Sequence, residues 1–325
     1  MEQIENFLYR ELNNLYKMEF EPVLLENIED EIFRILKTRK FRKYAINDEL
    51  ICDIKEAINY DVKNRQPINI TFLQGCYKLW RLNEAPEADW AELFAVEYYV
   101  QWVKNILAIY ELGVILDFYV DDLIMERISN YSRTEIIAYK NSFQKVLDLV
   151  KSFCPKNINF RITTVSSQYH SEHDFWVALN DAIEQNKDKP VVISESLKRT
   201  LLLNYRPING ESMDEDQMRD IIMMHNVHSA LTKRLEYRKM PGKILAMPHH
   251  YNGCVDRIFL GSTKDSIVKY WIGVGVLRKT DDGLSPTVLS PQQLETTKHT
   301  IFNVDLKNEF LMGLKNFRTI KVIEN

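Results

Sequence analysis

The amino-acid sequence predicts an α/β fold: a Rossmann-like, mostly parallel central sheet with flanking helices, preceded by a helical N-terminal segment. Three observations carry that prediction. Apolar runs of strand length, INITFLQG, VILDFYV and NINFRITTV, recur through the first half of the chain. Long segments with apolar residues three and four apart separate them, each with its own start and stop signals. Finally, 325 residues with 45% hydrophobic and 27% charged side chains is globular composition, enough to bury a substantial core in one large or two ordinary domains.

Residues 1–60 read as helices, because FLYRELNNLY, IEDEIFRILKTRKF and DELICDIKEAINYDV all repeat apolar positions at helical spacing. Pro67 breaks that pattern, and INITFLQG is a strand running into Gly75. A long helix follows in APEADWAELFAVEYYVQWVKNILAIYELG, with Pro86 near its start, acids in its first turn and Gly113 just past its end. VILDFYV is the second strand, RTEIIAYKNSFQKVLDLVKSF the second long helix and NINFRITTV the third strand. Strand, helix, strand, helix, strand is the order of a parallel sheet with crossover helices.

Beyond Asp174 helical periodicity returns in FWVALNDAIEQN and in MDEDQMRDIIMMHNVHSALTKRLEY, on either side of VVISESLKRTLLLNYRPING. After Pro241 the texture changes to KILAMPHH, DRIFLG and YWIGVGVLRK, with a DDG turn, so the last third is expected to be richer in strands. No internal repeat or low-complexity tract is present. The organisation expected is a helical segment over residues 1–60 and an α/β domain over 61–325. The polar stretch 186–190 is the candidate boundary within it.

Composition also excludes function classes. Forty-two basic against forty-six acidic residues give a formal charge of −4, so no bulk positive field draws in nucleic acid. The N-terminal MEQIENFLYRELNN lacks the basic start and apolar core of a signal peptide, and no apolar run approaches the roughly 18 residues of a membrane span. Cys52, Cys76, Cys154 and Cys254 lie far apart with no CxxC pairing. Free thiols in a reducing cytoplasm are the simplest reading.

ILDFYVDD, residues 115–122, raises a question of its own: a tyrosine, one intervening residue and two aspartates is how reverse transcriptases carry metal-binding carboxylates on a hairpin. A palm needs a third carboxylate on a preceding strand. Asp53 stands instead in a helix-period segment, and a long helix, not a palm strand, leads into YVDD. A buried strand emerging into an acidic loop is the better reading. At the carboxyl end of a parallel strand, such acids lie at the ligand crevice of an open α/β sheet.

From Pro67 onward the order of pieces resembles the isocyanide (isonitrile) synthases of pyoverdine and dityrosine pathways. PINITFLQGCYKLWR, APEADWAELF, YELG, ILDFYVDD and EIIAYKNSF match the family's succession over roughly eighty residues, and HSALTKRLEYRKMPGKILAMPHH, DRIFLG and YWIGVGVLRKTDDGLSPTVLSPQQLE extend it. The resemblance covers about two thirds of the chain, by pattern more than by identity. It has departures. Val120, Asp121 and Asp122 stand where the family has serine, aspartate and glycine, and Trp271 and Ile272 where it has a Trp-His pair; Arg257 represents a basic residue displaced by one position.

The resemblance implies an enzyme that converts the amino group of an amino acid to an isocyanide, taking the carbon from ribulose 5-phosphate. Such a reaction needs cations for phosphate and carboxylate, plus acid and base groups. Lys78 and Arg81 just past a strand, with Gly75 permitting close backbone approach, are candidate substrate-binding residues, as are Arg199, Arg257 and Trp271. Asp121 is the candidate acid, and His249 or His250 the candidate base, since imidazole titrates near neutrality. The plain alternatives are surface cations, a strand-end cap and exposed histidines. His225 with His228 and His170 with His173 are three apart, but no third metal ligand is legible, and no metal or other cofactor is expected. The partners expected are an amino acid and a sugar phosphate, with no nucleic acid and no membrane, and an oxygenase acting on the product in the same pathway. Two rival readings keep the fold: a divergent relative modifying another small metabolite, and a non-catalytic small-molecule-binding protein.

Overall fold

The computed structural model describes residues 2–17, 27–207, 213–235, 241–248, 257–261 and 269–324. Three helices open the chain: α1 (Glu2–Asn14), α2 (Ile28–Leu36) and α3 (Asp48–Lys63). Asn27 and Asn47 cap α2 and α3 by accepting from the backbone N–H groups of Glu29 and Leu50, which satisfies donors a helix leaves unpaired at its start. Each helix buries the apolar stripe that its sequence spacing marks, with Leu8 and Leu12, Ile32 and Leu36, and Ile54 and Ile58 all but removed from water.

The centre is a parallel sheet. Strands β1 (Ile68–Gln74), β2 (Val114–Val120), β3 (Ile158–Thr164), β4 (Lys243–Met247) and β5 (Ile258–Phe259) lie in the order β3-β2-β1-β4-β5. Every pairing is parallel. This is the Rossmann-like α/β architecture the sequence predicts, and its strand order reverses between β1 and β4. A palm hairpin is ruled out by the same topology, because ILDFYVDD runs parallel to both neighbours.

Helix α4 (Trp90–Ile109) explains why the EYYVQWV stretch is apolar almost all round: it is buried on several sides at once. Tyr99 stacks on Phe72 of β1 at 4.3 Å, and Trp102 donates to the Leu36 carbonyl of α2 at 3.1 Å. Trp90 donates to the Thr319 carbonyl of a second sheet at 2.7 Å. The helix starts at Trp90 rather than near Pro86, because Asp89 and Glu92 form a capping box that fixes its first turn. Gly113, at φ +69, ends the turn beyond it, where an added Cβ would lie 1.7 Å from the Asn157 carbonyl oxygen.

Helices α5 (Met125–Ile128) and α6 (Arg133–Ser152) follow β2, and Phe143 of α6 meets Phe118 of β2 edge to face on the side of the sheet that α4 covers. The chain then forms α7 (Glu172–Glu184), α8 (Glu195–Asn204) and α9 (Glu215–Leu235) before β4. The second sheet, in the order β7-β6-β9-β8, uses β6 (Val274–Thr280), β7 (Gly283–Leu289), β8 (His299–Asn303) and β9 (Thr319–Ile323), with α10 (Pro291–Thr296) after β7. The tryptophan of YWIGVGVLRK is not in a strand; Tyr270–Ile272 is a 3-10 turn ahead of β6. Among the described residues no helix is long and apolar enough to cross a membrane.

Candidate functional site

A parallel sheet presents the carboxyl ends of its strands as a row of loop starts, and the strand-order reversal opens a crevice between two of them. Here those ends are Gln74 of β1 and Met247 of β4, with Val120 of β2 beside β1. Gln74 anchors the floor. Its side chain donates to the Tyr139 hydroxyl at 3.1 Å and accepts from the Tyr270 hydroxyl at 2.8 Å, and Tyr139 donates on to Glu92 at 3.1 Å.

Lys78 completes that network from below. Its side chain is wholly buried, and its ammonium donates to Asp89 at 2.8 Å, Glu92 at 2.9 Å and the Tyr270 carbonyl at 3.0 Å. Three donors are thereby matched with three acceptors. Burial pulls the Lys78 ammonium down, but Asp89 and Glu92 outweigh it and raise the pKa overall. Burial pushes the Glu92 carboxyl up to about 8, against the pull of Lys78.

The two acids of YVDD part company. Asp122 is 2% exposed and accepts from the Ser166 hydroxyl at 2.6 Å and the Ser166 N–H at 3.0 Å, so it clamps the loop after β3. Asp121 keeps a side chain 35% exposed just past the carboxyl end of β2, with Oδ1 3.0 Å from Nε2 of a buried His228. A carboxylate only accepts, so Nε2 carries the proton in this contact. Phe175 of α7 meets the His228 ring edge to face, 5.8 Å between centroids, and fixes its plane. The free lone pairs of Asp121 can take an ammonium or hydroxyl group.

Gly75 and Trp271, two of the candidate residues, come together, and the space between them is taken by protein. A Cβ on Gly75 would stand 2.6 Å from the indole Nε1 of Trp271 and 2.8 Å from the Tyr77 ring. Tyr77 donates to Asn204 at 2.8 Å and stacks on Tyr131 at 4.6 Å, which ties α8 to this wall. Burial raises the Tyr77 phenol, the hydrogen bond from Trp271 opposes it, and the Asp121 charge adds to the rise.

The remaining candidates scatter. Arg81 is exposed and lies over the Trp80 ring at 4.4 Å, donating to the Leu202 carbonyl at 3.2 Å. Arg199 is exposed on α8. Arg257 is 6% exposed beside the end of β4, with Nη1 3.6 Å from the Met247 sulfur. His249 and His250 lie outside the described residues. His225, His170 and His173 are exposed, and among the described residues no three His, Cys, Asp or Glu side chains converge as a metal site. Burial pushes the Cys76 and Cys154 thiols up to about 12, which leaves both poor nucleophiles. A polar depression of about 240 Å³ between α8 and α9, walled by Glu195, Lys198, Glu215 and Arg219, contains none of the predicted site residues.

Sequence reasoning missed four participants. His228 is read there only as half of a histidine pair, and nothing local connects α9 to β2. Asp89 and Glu92 are read as helix-start acids, which they are; the same spacing brings both carboxylates to Lys78. Lys269, half-buried with its ammonium 5.6 Å from the centre of the Trp271 ring, carries no motif at all.

No family model matches the chain, and no curated protein matches it by sequence. Among solved structures, the PvcA protein from Pseudomonas aeruginosa is similar, with a TM-score of 0.65 at 11% identity, covering 91% of this chain and 100% of that one. Tyrosyl-tRNA synthetase from Aeropyrum pernix matches at a TM-score of 0.31 and 11% identity, over 71% of this chain and 54% of that one, too low a score to carry weight. At these identities the likeness to PvcA is one of fold.

Proposed function

We propose that this protein is a small-molecule biosynthetic enzyme of the isocyanide-synthase kind, acting on the amino group of an amino acid, with ribulose 5-phosphate as carbon donor. The observation that carries the reading is the Asp121 carboxylate, part-exposed at the carboxyl end of β2 and held at 3.0 Å by the buried His228. Asp121 stands where the resembled family keeps its aspartate. The fold likeness to the PvcA protein is in keeping with the same choice. In this reading Asp121 holds the substrate amine and exchanges its protons, Trp271 and Tyr77 wall the pocket, and Arg257 faces the anionic end. His249 and His250, which follow β4 in sequence, are the proposed bases. The cytoplasm is the proposed location, and a pathway oxygenase the proposed consumer of the product.

One observation favours the divergent reading. Lys78, one of the two candidate cations just past β1, is saturated by Asp89, Glu92 and a carbonyl. A ligand without phosphate would suit that arrangement equally. Incubation with a panel of aromatic and aliphatic amino acids and ribulose 5-phosphate, followed by mass spectrometry, tests both readings. A product that has lost the amine hydrogens and gained one carbon is expected. A different product supports the divergent enzyme, and ligand-induced thermal stabilisation without turnover across the panel supports a binding protein.

A further inference from the structure

Two lysines of the described structure lie close to the crevice, in opposite electrostatic settings. Lys78 has its charge matched by Asp89 and Glu92. Lys269 has no carboxylate against it among the described residues. Its ammonium lies over the indole of Trp271 at 5.6 Å, and the charged group it feels is Arg257, a second cation. Both sit at the strand-order reversal: Trp271 packs on Gly75 at the end of β1, and Arg257 reaches Met247 at the end of β4.

We propose that Lys269 is a carbonyl-reactive lysine, which forms an imine with an aldehyde or ketone ligand entering the crevice between β1 and β4. A lysine is a nucleophile only as the free amine, and enzymes obtain that form at neutral pH by desolvation or by placing a second cation beside it. Both devices are present. Burial, with the Arg257 charge adding to it, lowers the Lys269 ammonium to about 8. The residue is nevertheless only half-buried, so a ligand can reach it. The step balances without a redox partner. The amine nitrogen adds to the carbonyl carbon, the carbonyl oxygen leaves as water with two hydrogens from the amine, and a C=N bond joins ligand to Lys269.

The inference shares its location with the function proposed above but not its chemistry, and the test separates the two. The protein is treated at pH 8 with pyridoxal 5′-phosphate or with pyridoxal, reduced with borohydride, digested and mapped by mass spectrometry. At that pH about half of the Lys269 amine is free, against under about 1% of an ordinary lysine. The reduced adduct is therefore expected at Lys269 with a roughly 10- to 100-fold preference over exposed lysines such as Lys63, from both aldehydes. Labelling of Lys269 itself should rise with pH through a midpoint near 8, the position the Lys269 ammonium takes, while its preference over ordinary lysines narrows above that pH. Lys269→Arg, which keeps the cation, should melt like the parent and take up no label above the level of surface lysines. Label spread evenly over the lysines overturns the inference. So does label at Lys269 from the phosphorylated aldehyde alone, which would mean anion attraction by Arg257 in place of a reactive amine. Selective labelling of Lys269 by both aldehydes, in a protein that gives no product with ribulose 5-phosphate and amino acids, would sustain this inference and sink the function proposed above.

Discussion

Replacing Lys78 by methionine distinguishes a cation that binds ligand from one that holds the fold. In the structure the ammonium makes three hydrogen bonds, two of them to carboxylates that are themselves out of water: Asp89 is 1% and Glu92 0% exposed. Methionine fills the stem's volume and leaves both acids without their cation. Removing one partner of a buried ion pair costs about 3–5 kcal/mol. Some of this is recovered because both acids keep other donors. Ala91 N–H and Gly275 N–H reach Asp89 at 2.8 and 3.3 Å, and Tyr139 reaches Glu92 at 3.1 Å. A loss of about 3 kcal/mol at pH 7.5 is therefore expected, read from urea unfolding.

The deficit should depend on pH with a definite sign. Without Lys78 the Glu92 carboxyl, already pushed up to about 8 by burial, rises further. The folded variant then holds a proton that the unfolded chain releases near pH 4.5, so its stability is fully present at low pH and falls as pH rises through the folded pKa. The variant should be closest to the parent near pH 5. Adding Glu92→Gln to Lys78→Met should flatten this dependence. Unfolding free energy within about 1 kcal/mol of the parent at pH 7.5, together with lost affinity for ribulose 5-phosphate, would refute the structural role and return Lys78 to the ligand site.

Three more outcomes follow from the same geometry. Asp61 is 2% exposed and accepts from the Asn69 N–H at 3.0 Å, yet burial raises its carboxyl to about 7. Stability should decline from about pH 4 to 7 by at most about 4 kcal/mol on this account, and Asp61→Asn, which keeps the acceptor, should remove that slope in unfolding curves. Asp122→Asn should lower the melting temperature by loosening Ser166, at about 1–3 kcal/mol, whereas Asp121→Asn should leave melting unchanged and weaken amino-acid binding in calorimetry; equal melting of the two variants would contradict the division. Gly275→Ala puts a Cβ 2.2 Å from the Ala91 nitrogen at the start of α4, rigid backbone that cannot yield, so a loss of about 1–3 kcal/mol or more is expected in denaturant titration.

The parallel sheet and its long helices were legible because strand length, helical period and cap residues are local signals, and each is honoured here. INITFLQ and VILDFYV are β1 and β2 to the residue or nearly so, and the helix predicted from APEADW onward begins where the Asp89-Glu92 capping box sets it. What was not legible depends on which elements the topology brings together. Asp121 meets His228 across 107 residues, and Gly75 meets Trp271 across a gap of nearly 200. No periodicity within either segment encodes those meetings. The helix at Glu195–Asn204 was missed for a milder reason, since its Ser194 cap and LKRTLLLN run sit beside a proline and glycine that read as loop.

The acids of ILDFYVDD show why residue type alone could not assign the site. Asp117 points to the side of β2 opposite Phe118, is fully buried, and is held by Arg161 at 2.6 Å and Thr163 at 2.7 Å on β3. Asp122 is equally buried and is spent on Ser166. Only Asp121, past the last strand residue, combines partial exposure with a buried partner that orients it. The two lysines sort by the same criterion. Lys78 is closed by two carboxylates, while Lys269 faces a like charge and stays reachable. In both sets the neighbours, and not the charge of the residue itself, decide whether the group is available to a ligand. The groups whose bonding capacity the fold leaves open are Asp121, past the end of β2, and Lys269, beside Trp271.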